Sequence, residues 1–225
     1  MWCVPRLDDE YAERMEDVLD LYERAYDPQQ PVVCLDERAV QLHGEKRPGS
    51  PAKPGKPARF DYEYVRRGTA NIFCAVEPLA GKHLARVTKS RSGAELVQML
   101  ALLARAYPRA RTIHLVMDNL NTHSLTTVIK HYGERRGRAL WSRFTVHYTP
   151  THGSWLNQAE IEIGILNRQC MGRRRFDSLE ALDHNVREWS RRVNREKLRF
   201  RWRFTTTKAR AVFRYSWETA QDQAA

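Results

Sequence analysis

Five short apolar runs, each closed by a breaker or a charged residue, constrain this chain more than anything else in it. They are Pro31–Glu37, Ala70–Val76, His83–Thr88, Thr112–Met117 and Phe144–Tyr148. Each is too short for an ordinary globular helix and reads as a strand. Only Glu77–Lys82, with Pro78 and Gly81, separates the second from the third, so these two pair as an antiparallel hairpin. After the third run, Ser92 and Glu95 have capping-box spacing, and Leu96, Met99, Leu100, Leu103 and Tyr107 recur at helical intervals until Pro108. A helix near 123–132 separates the last two strands, and two more follow near 155–171 and 178–195. Three strands leading into alternating helices and strands imply an α/β chain whose mixed five-stranded sheet is flanked by helices.

The remainder divides around that block. Residues 1–30 form an acidic leader in which Tyr11, Met15, Val18, Leu19 and Tyr22 make the apolar stripe of a helix. Residues 31–198 hold the sheet. Within them, residues 41–60 place Pro48, Pro51, Pro54 and Pro57 among lysines and arginines, the pattern of an extended basic loop, either a plain linker or a DNA-contacting arm. Residues 199–225 are a tail that opens with Arg199-Phe-Arg-Trp-Arg-Phe204. Its aromatics either stack on bases or pack on the core while the arginines face water.

Charge is distributed as unevenly as sequence type. The formal net charge is +11, yet residues 1–30 carry nine acids against three bases, which leaves +17 for the rest. That remainder suits a polyanion such as nucleic acid. No stretch approaches the roughly 20 apolar residues of a membrane span, and the first residues lack a secretory signal, so a cytoplasmic, membrane-free protein is expected. Cys3, Cys34, Cys74 and Cys170 lie far apart without a C-x-x-C pair and are read as free, mostly buried thiols. His147 and His152 have no third His or Cys at a structural-zinc spacing.

Asp36 and Asp118 each close a strand, where open α/β sheets place functional side chains. A third acid lies in Pro150-Thr-His-Gly-Ser-Trp-Leu-Asn-Gln-Ala-Glu160, which leads into a helix whose buried face is Leu156, Ala159, Ile163, Leu166 and Cys170. Glu160 and Glu162 each lie roughly 80° from the centre of that face, on opposite sides. Periodicity leaves both open.

The blocks Leu35-Asp36-Glu37, Met117-Asp118-Asn119-Leu-Asn-Thr-His123 and Thr149-Pro150-Thr-His152-Gly-Ser-Trp155-Leu-Asn157-Gln-Ala-Glu160 resemble, in order, the three catalytic blocks of the bacterial insertion sequence 630 family of transposases. That family is mariner-related and of the DDE superfamily. The resemblance implies a ribonuclease-H-like (retroviral-integrase-like) fold and selects Glu160, which closes Asn-x-x-Glu, as the third catalytic acid. Asp36, Asp118 and Glu160 would then be both catalytic residues and metal ligands. Asn119, His123, His152, Trp155 and Asn157 would position the acids or DNA. The spacing departs from the wider family, since 41 residues separate Asp118 from Glu160. The excess fits a surface insertion around Gly133–Arg138.

The implied cofactor is Mg²⁺ or Mn²⁺, with two ions. Hard oxygen ligands suit these cations, and a pair about 4 Å apart serves in-line phosphoryl displacement. The implied reaction is water attacking at the transposon ends, followed by attack of the freed 3′ hydroxyl on target DNA, without a covalent enzyme intermediate. Expected partners are transposon-end and target DNA and further copies of the chain, as a homo-oligomer, when active. The helix-turn-helix half usual in the family is missing, and is either encoded separately or lost. Two other readings use the same features: a ribonuclease-H-like nuclease without strand joining, and a non-enzymatic DNA-binding remnant or inhibitor of transposition.

Overall fold

In the computed structural model, which describes residues 8–59, 61–172 and 174–215, all five runs form strands. They are β1 (Val32–Glu45), β2 (Tyr64–Glu77), β3 (Lys82–Thr88), β4 (Ile113–Met117) and β5 (Phe144–Tyr148). Their order is β3-β2-β1-β4-β5. β1 runs antiparallel to β2 and β2 to β3, whereas β4 is parallel to both β1 and β5. Around the sheet lie α1 (Asp9–Glu23), α2 (Gly93–Ala106), α3 (Leu125–Tyr132), α4 (Glu134–Trp141), α5 (Ala159–Leu166), α6 (Leu179–Glu196) and α7 (Thr206–Phe213).

The two-residue period of the strands sorts side chains to opposite faces. Val33, Leu35, Phe73, Ala75, Leu115 and Met117 face α2, whose predicted stripe Leu96, Met99, Leu100 and Leu103 is buried against them. The Ser92 hydroxyl accepts from Glu95 N–H and caps that helix. Cys34, Val76 and Val116 point the other way, to Met15, Val18 and Leu19 of α1 and to Leu156 and Ala159. Those three α1 side chains are fully buried. Each contributes about 1.5–3 kcal/mol, so the acidic leader helix is part of the fold. Further along the same face, Ile72 and Cys74 meet Ile163, Leu166, Leu182, Val186 and Trp189 of α5 and α6.

Three segments depart from expectation. β1 and β2 run well past the sheet, so residues 41–45 are strand, and bridges Ser50–Arg59 and Lys53–Lys56 continue the pairing as a projecting arm. The prolines mark extended backbone correctly, but a long antiparallel partner supplies a ladder that local composition does not reveal. Arg175 anchors the arm by donating to the Asp61, Tyr62 and Glu63 carbonyls. The insertion near Gly133 holds α4, and Gly137 lets it pack so close to α3 that a Cβ there would come 2.9 Å from Ile129 Cα. The helix expected over 155–171 breaks into a 3₁₀ turn at Ser154–Leu156, α5, and a π turn at Asn167–Met171.

The tail packs on the core. Phe200, Trp202 and Phe204 join the cluster around α1, while Arg199, Arg201 and Arg203 are exposed. Cys34, Cys74 and Cys170 are free and buried, and Cys3 lies outside the described residues, as do Met1–Leu7 and residues 216–225 of the predicted leader and tail. Among the described residues no helix is long and apolar enough to cross a membrane.

Candidate active site

Cys34 of β1 pairs in parallel with Val116 of β4. Two residues further along each chain stand Asp36, still within β1, and Asp118, just past the end of β4. α5 crosses the sheet and carries Glu160 in its exposed first turn. The proximity of the acids appears in the ionisation of Asp36, which is pushed up to about 7. Burial is the main cause. The Glu37 N–H, donating to Asp36 Oδ1 at 2.7 Å, works against it, and the charges of Glu160, Glu37 and Asp118 add to it. Three carboxylates from the three sequence blocks therefore interact where the parallel pairing of β1 with β4 ends. Asp118 does follow its strand, but Asp36, expected to close one, lies inside β1, whose antiparallel ladder with β2 runs on to Glu45. The all-oxygen donor set of the three acids, in a place where negative charge is disfavoured, fits a hard divalent cation.

The environment also separates the two acids that helical periodicity left open. Glu162 is 1% exposed and its Oε1 lies 2.8 Å from His83 Nδ1. His83 Nε2 is 2.8 Å from the Leu198 carbonyl. β3 and α6 therefore cover the Glu162 side of α5, and the Glu160 side is open.

His123 is 2% exposed and faces acids. Its Nε2 lies 3.0 Å from Glu37 Oε1, and its Nδ1 lies 2.6 Å from Asp118 Oδ1 and 3.0 Å from the Asp118 carbonyl. Every partner is an acceptor, so both ring nitrogens donate and the imidazole is a cation. Burial opposes that charge, but the hydrogen bonds to Asp118 and Glu37 outweigh it and push the pKa up to about 10. Ligand atoms of Glu37, Asp118 and His123 all lie within 4.8 Å of one another.

The other motif residues separate by environment. Asn157 is buried; its Nδ2 donates to the Leu35 carbonyl at 2.8 Å and its Oδ1 accepts from Ala159 N–H at 3.1 Å. It thus ties the residue before Asp36 to the start of the helix that carries Glu160. Trp155 stacks with Trp202 and meets Phe204 and Phe213, and its Nε1 donates to Tyr11 Oη, so it joins the aromatic cluster beneath α1. Asn119 and His152 are exposed. His152 has φ 61°, a left-handed conformation unusual for a non-glycine residue, and Gly153 follows because a Cβ would meet Pro150 at 2.5 Å.

Asn157→Ala is expected to cost about 1–3 kcal/mol, because the buried Leu35 carbonyl loses its donor. Asn157→Asp, which keeps the acceptor for Ala159 N–H but sets an oxygen against that carbonyl, is expected to do no better. Thermal denaturation of both variants checks this, and parental stability in either would show the tie to be dispensable.

Sequence reasoning missed Glu37 and His83. Glu37 stands next to Asp36 and so faces the opposite side of β1, where only the folded loop after Asp118 reveals its partner. His83 opens an amphipathic strand without any motif signal. A cavity of about 810 Å³ lies at the other end of the strands, lined by residues such as Tyr22, Glu77, Arg199 and Trp202, and includes none of the three acids.

Comparison with known proteins bears on the fold and the family. The Mos1 mariner paired end complex with Mn superposes with a TM-score of 0.57 at 20% identity, covering 97% of this chain and 67% of that one. The Mos1 strand transfer complex gives 0.55 at 20%, covering 88% and 61%. The Mos1 paired end complex with Mg gives 0.55 at 19%, covering 97% and 66%. At such identity the likeness is one of fold, and it establishes the ribonuclease-H-like arrangement. This chain spans about two thirds of the length of those chains. No curated protein matches it in sequence. The family described as DDE superfamily endonuclease matches residues 31–183, a span that contains the whole sheet and all three acids, and the chain belongs to that family.

Proposed function

We propose that this chain is the catalytic domain of a cut-and-paste DNA transposase of the bacterial insertion sequence 630 type. It cleaves DNA at the ends of its element and joins the freed 3′ hydroxyl to target DNA. The convergence of Asp36, Asp118 and Glu160 where the parallel pairing of β1 with β4 ends is the observation that supports this reading most. These three carboxylates hold Mg²⁺ or Mn²⁺, two ions in number. When bound, such ions activate the attacking oxygen and stabilise the leaving one.

The protein residues prepare that chemistry. Asp36 is fixed by the β1 ladder and by the Glu37 N–H. Glu160 comes from the exposed turn of α5, the side open to a duplex. The +17 charge outside residues 1–30 draws phosphates to the chain without reading sequence. The similar Mos1 structures are a paired end complex and a strand transfer complex. By analogy this chain acts on transposon ends and target DNA, as a homo-oligomer, in the bacterial cytoplasm.

A strand-transfer assay tests the reading. With a pre-cut terminal oligonucleotide, a target plasmid and Mn²⁺, the expected product is covalent joining. An RNA–DNA hybrid supplied alongside should remain intact. Cleavage without joining would replace the proposal with a nuclease function, and metal-independent binding without either would leave only a DNA-binding role.

A further inference from the structure

We infer that Glu37, acting through His123, is a positioning residue that sets the Asp118 carboxylate for metal binding; the inference rests on the metal-dependent reading of Asp36, Asp118 and Glu160. Asp118 lies just past the end of β4, where the strand ladder no longer holds it, and its side chain is 35% exposed. Left alone, such a carboxylate rotates freely. His123 limits that freedom through a charge contact, with Nδ1 at 2.6 Å from Oδ1, while its hydrogen bond at 3.0 Å goes to the carbonyl of the same residue.

The backbone of His123 is held on both sides of its Cα. His123 N–H donates to the Leu120 carbonyl at 2.8 Å, and Tyr148 Oη donates to the His123 carbonyl at 2.6 Å. Glu37 then fixes the far nitrogen, with Oε1 at 3.0 Å from Nε2. The Glu37 carboxylate is 6% exposed and rises from a strand position paired with Phe73. A rigid strand, a buried carboxylate and a buried imidazole thus form one line ending on Asp118. Partners behind a metal ligand act in this way, fixing its orientation.

Neither residue is a ligand in this arrangement. Both nitrogens of His123 already donate to protein oxygens, and Glu37 leaves β1 on the face opposite to Asp36. Glu37 also differs from a purely structural acid, because the group it orders belongs to the proposed metal site.

Isothermal titration of the full chain with Mn²⁺ at fixed ionic strength tests this, together with the Mn²⁺ dependence of strand transfer. Glu37→Ala and His123→Gln are expected to weaken Mn²⁺ binding roughly 10–100-fold. Glu37→Gln, which keeps an acceptor for Nε2–H, should lose less. Excess Mn²⁺ should return the maximal rate of Glu37→Ala close to the parental value, so that the metal dependence moves and kcat does not. Asp118→Asn should not be rescued. Near-ultraviolet circular dichroism of each metal-free variant separates misfolding from these effects, and His123→Gln carries the test if Glu37→Ala does not fold. Parental Mn²⁺ affinity in both Glu37→Ala and His123→Gln, with affinity lost in Asp118→Asn, would overturn the positioning role alone. Loss in Glu37→Ala as complete as in Asp118→Asn, without rescue, would overturn it by making Glu37 a ligand. Parental affinity in Asp118→Asn would refute the metal reading of the site, and this inference with it.

Discussion

Asp36→Ala, Asp118→Ala and Glu160→Ala are each expected to reduce strand cleavage and joining to background, a loss of at least about 100-fold, while DNA binding persists. The lower bound is what removing one preorganised electrostatic contact costs in other enzymes. Here each substitution takes away a full charge from a set of three. Binding to DNA should survive because it depends on the dispersed positive charge of the chain outside residues 1–30. The same variants should respond less to metal. A cation that binds the folded chain and not the unfolded one raises the melting temperature by mass action. Mn²⁺ or Mg²⁺ should therefore stabilise the parent more than Asp36→Asn or Asp118→Asn, at fixed ionic strength to remove general screening. Without metal, Asp36→Asn should be at least as stable as the parent, since burial and neighbouring acids already disfavour its charge. Equal metal-induced shifts in parent and variants would place the ions elsewhere. Activity retained in Glu160→Ala and lost in Glu162→Ala would reverse the choice of third acid.

The strands were legible because each is a short apolar run between breakers, and α2 because its stripe, cap and stop all agree. The buried face expected across 155–171 was legible too, with Leu156, Ala159, Ile163, Leu166 and Cys170 all buried although only the middle three lie in α5. What lay outside the sequence was set by partners distant along the chain. α4 hides in a charged stretch whose packing depends on a glycine meeting α3. The long arms of β1 and β2 draw their pairing from each other and not from local propensity. At the candidate site, the ends of apolar runs pointed to Asp36 and Asp118, although β1 continues past Asp36, and motif resemblance was needed for Glu160. The physical distinction between Glu160 and Glu162 is made by His83, 79 residues from Glu162, through a contact that no periodicity encodes.

That contact carries the largest stability effect expected in the chain. Glu162→Ala should destabilise the fold by about 3–5 kcal/mol, since it leaves His83 buried without its counter-charge. For a chain of this size this corresponds to a fall in melting temperature of roughly 6–20 °C. The hydrogen bonds argue that the pair is charged. His83 faces the Glu162 carboxylate and the Leu198 carbonyl, two acceptors, so both ring nitrogens donate. Burial lowers the pKa of His83, but the hydrogen bond and charge of Glu162 and the Leu198 carbonyl together raise it above its ordinary value. Around the ring, α6 presents Ser190 and Asn194, which donate to the His83 carbonyl, and Trp189 and Phe200 meet its edges. Glu162 is the acid facing it among these contacts. A histidine whose folded pKa exceeds its unfolded pKa stabilises fully below the unfolded value, about 6.5, and loses that contribution as pH rises through the folded value. Glu162→Gln can accept the neutral ring by donating its amide to Nδ1, so it should be far milder than Glu162→Ala and should lack this pH dependence. The melting-temperature gap between parent and Glu162→Gln is therefore expected to be widest near pH 6 and to shrink toward pH 9, with Asp36 and His123 titrating alike in both and cancelling. A gap that stays constant across that range would mean that the pair shares its proton in the neutral form, with Glu162 as the donor.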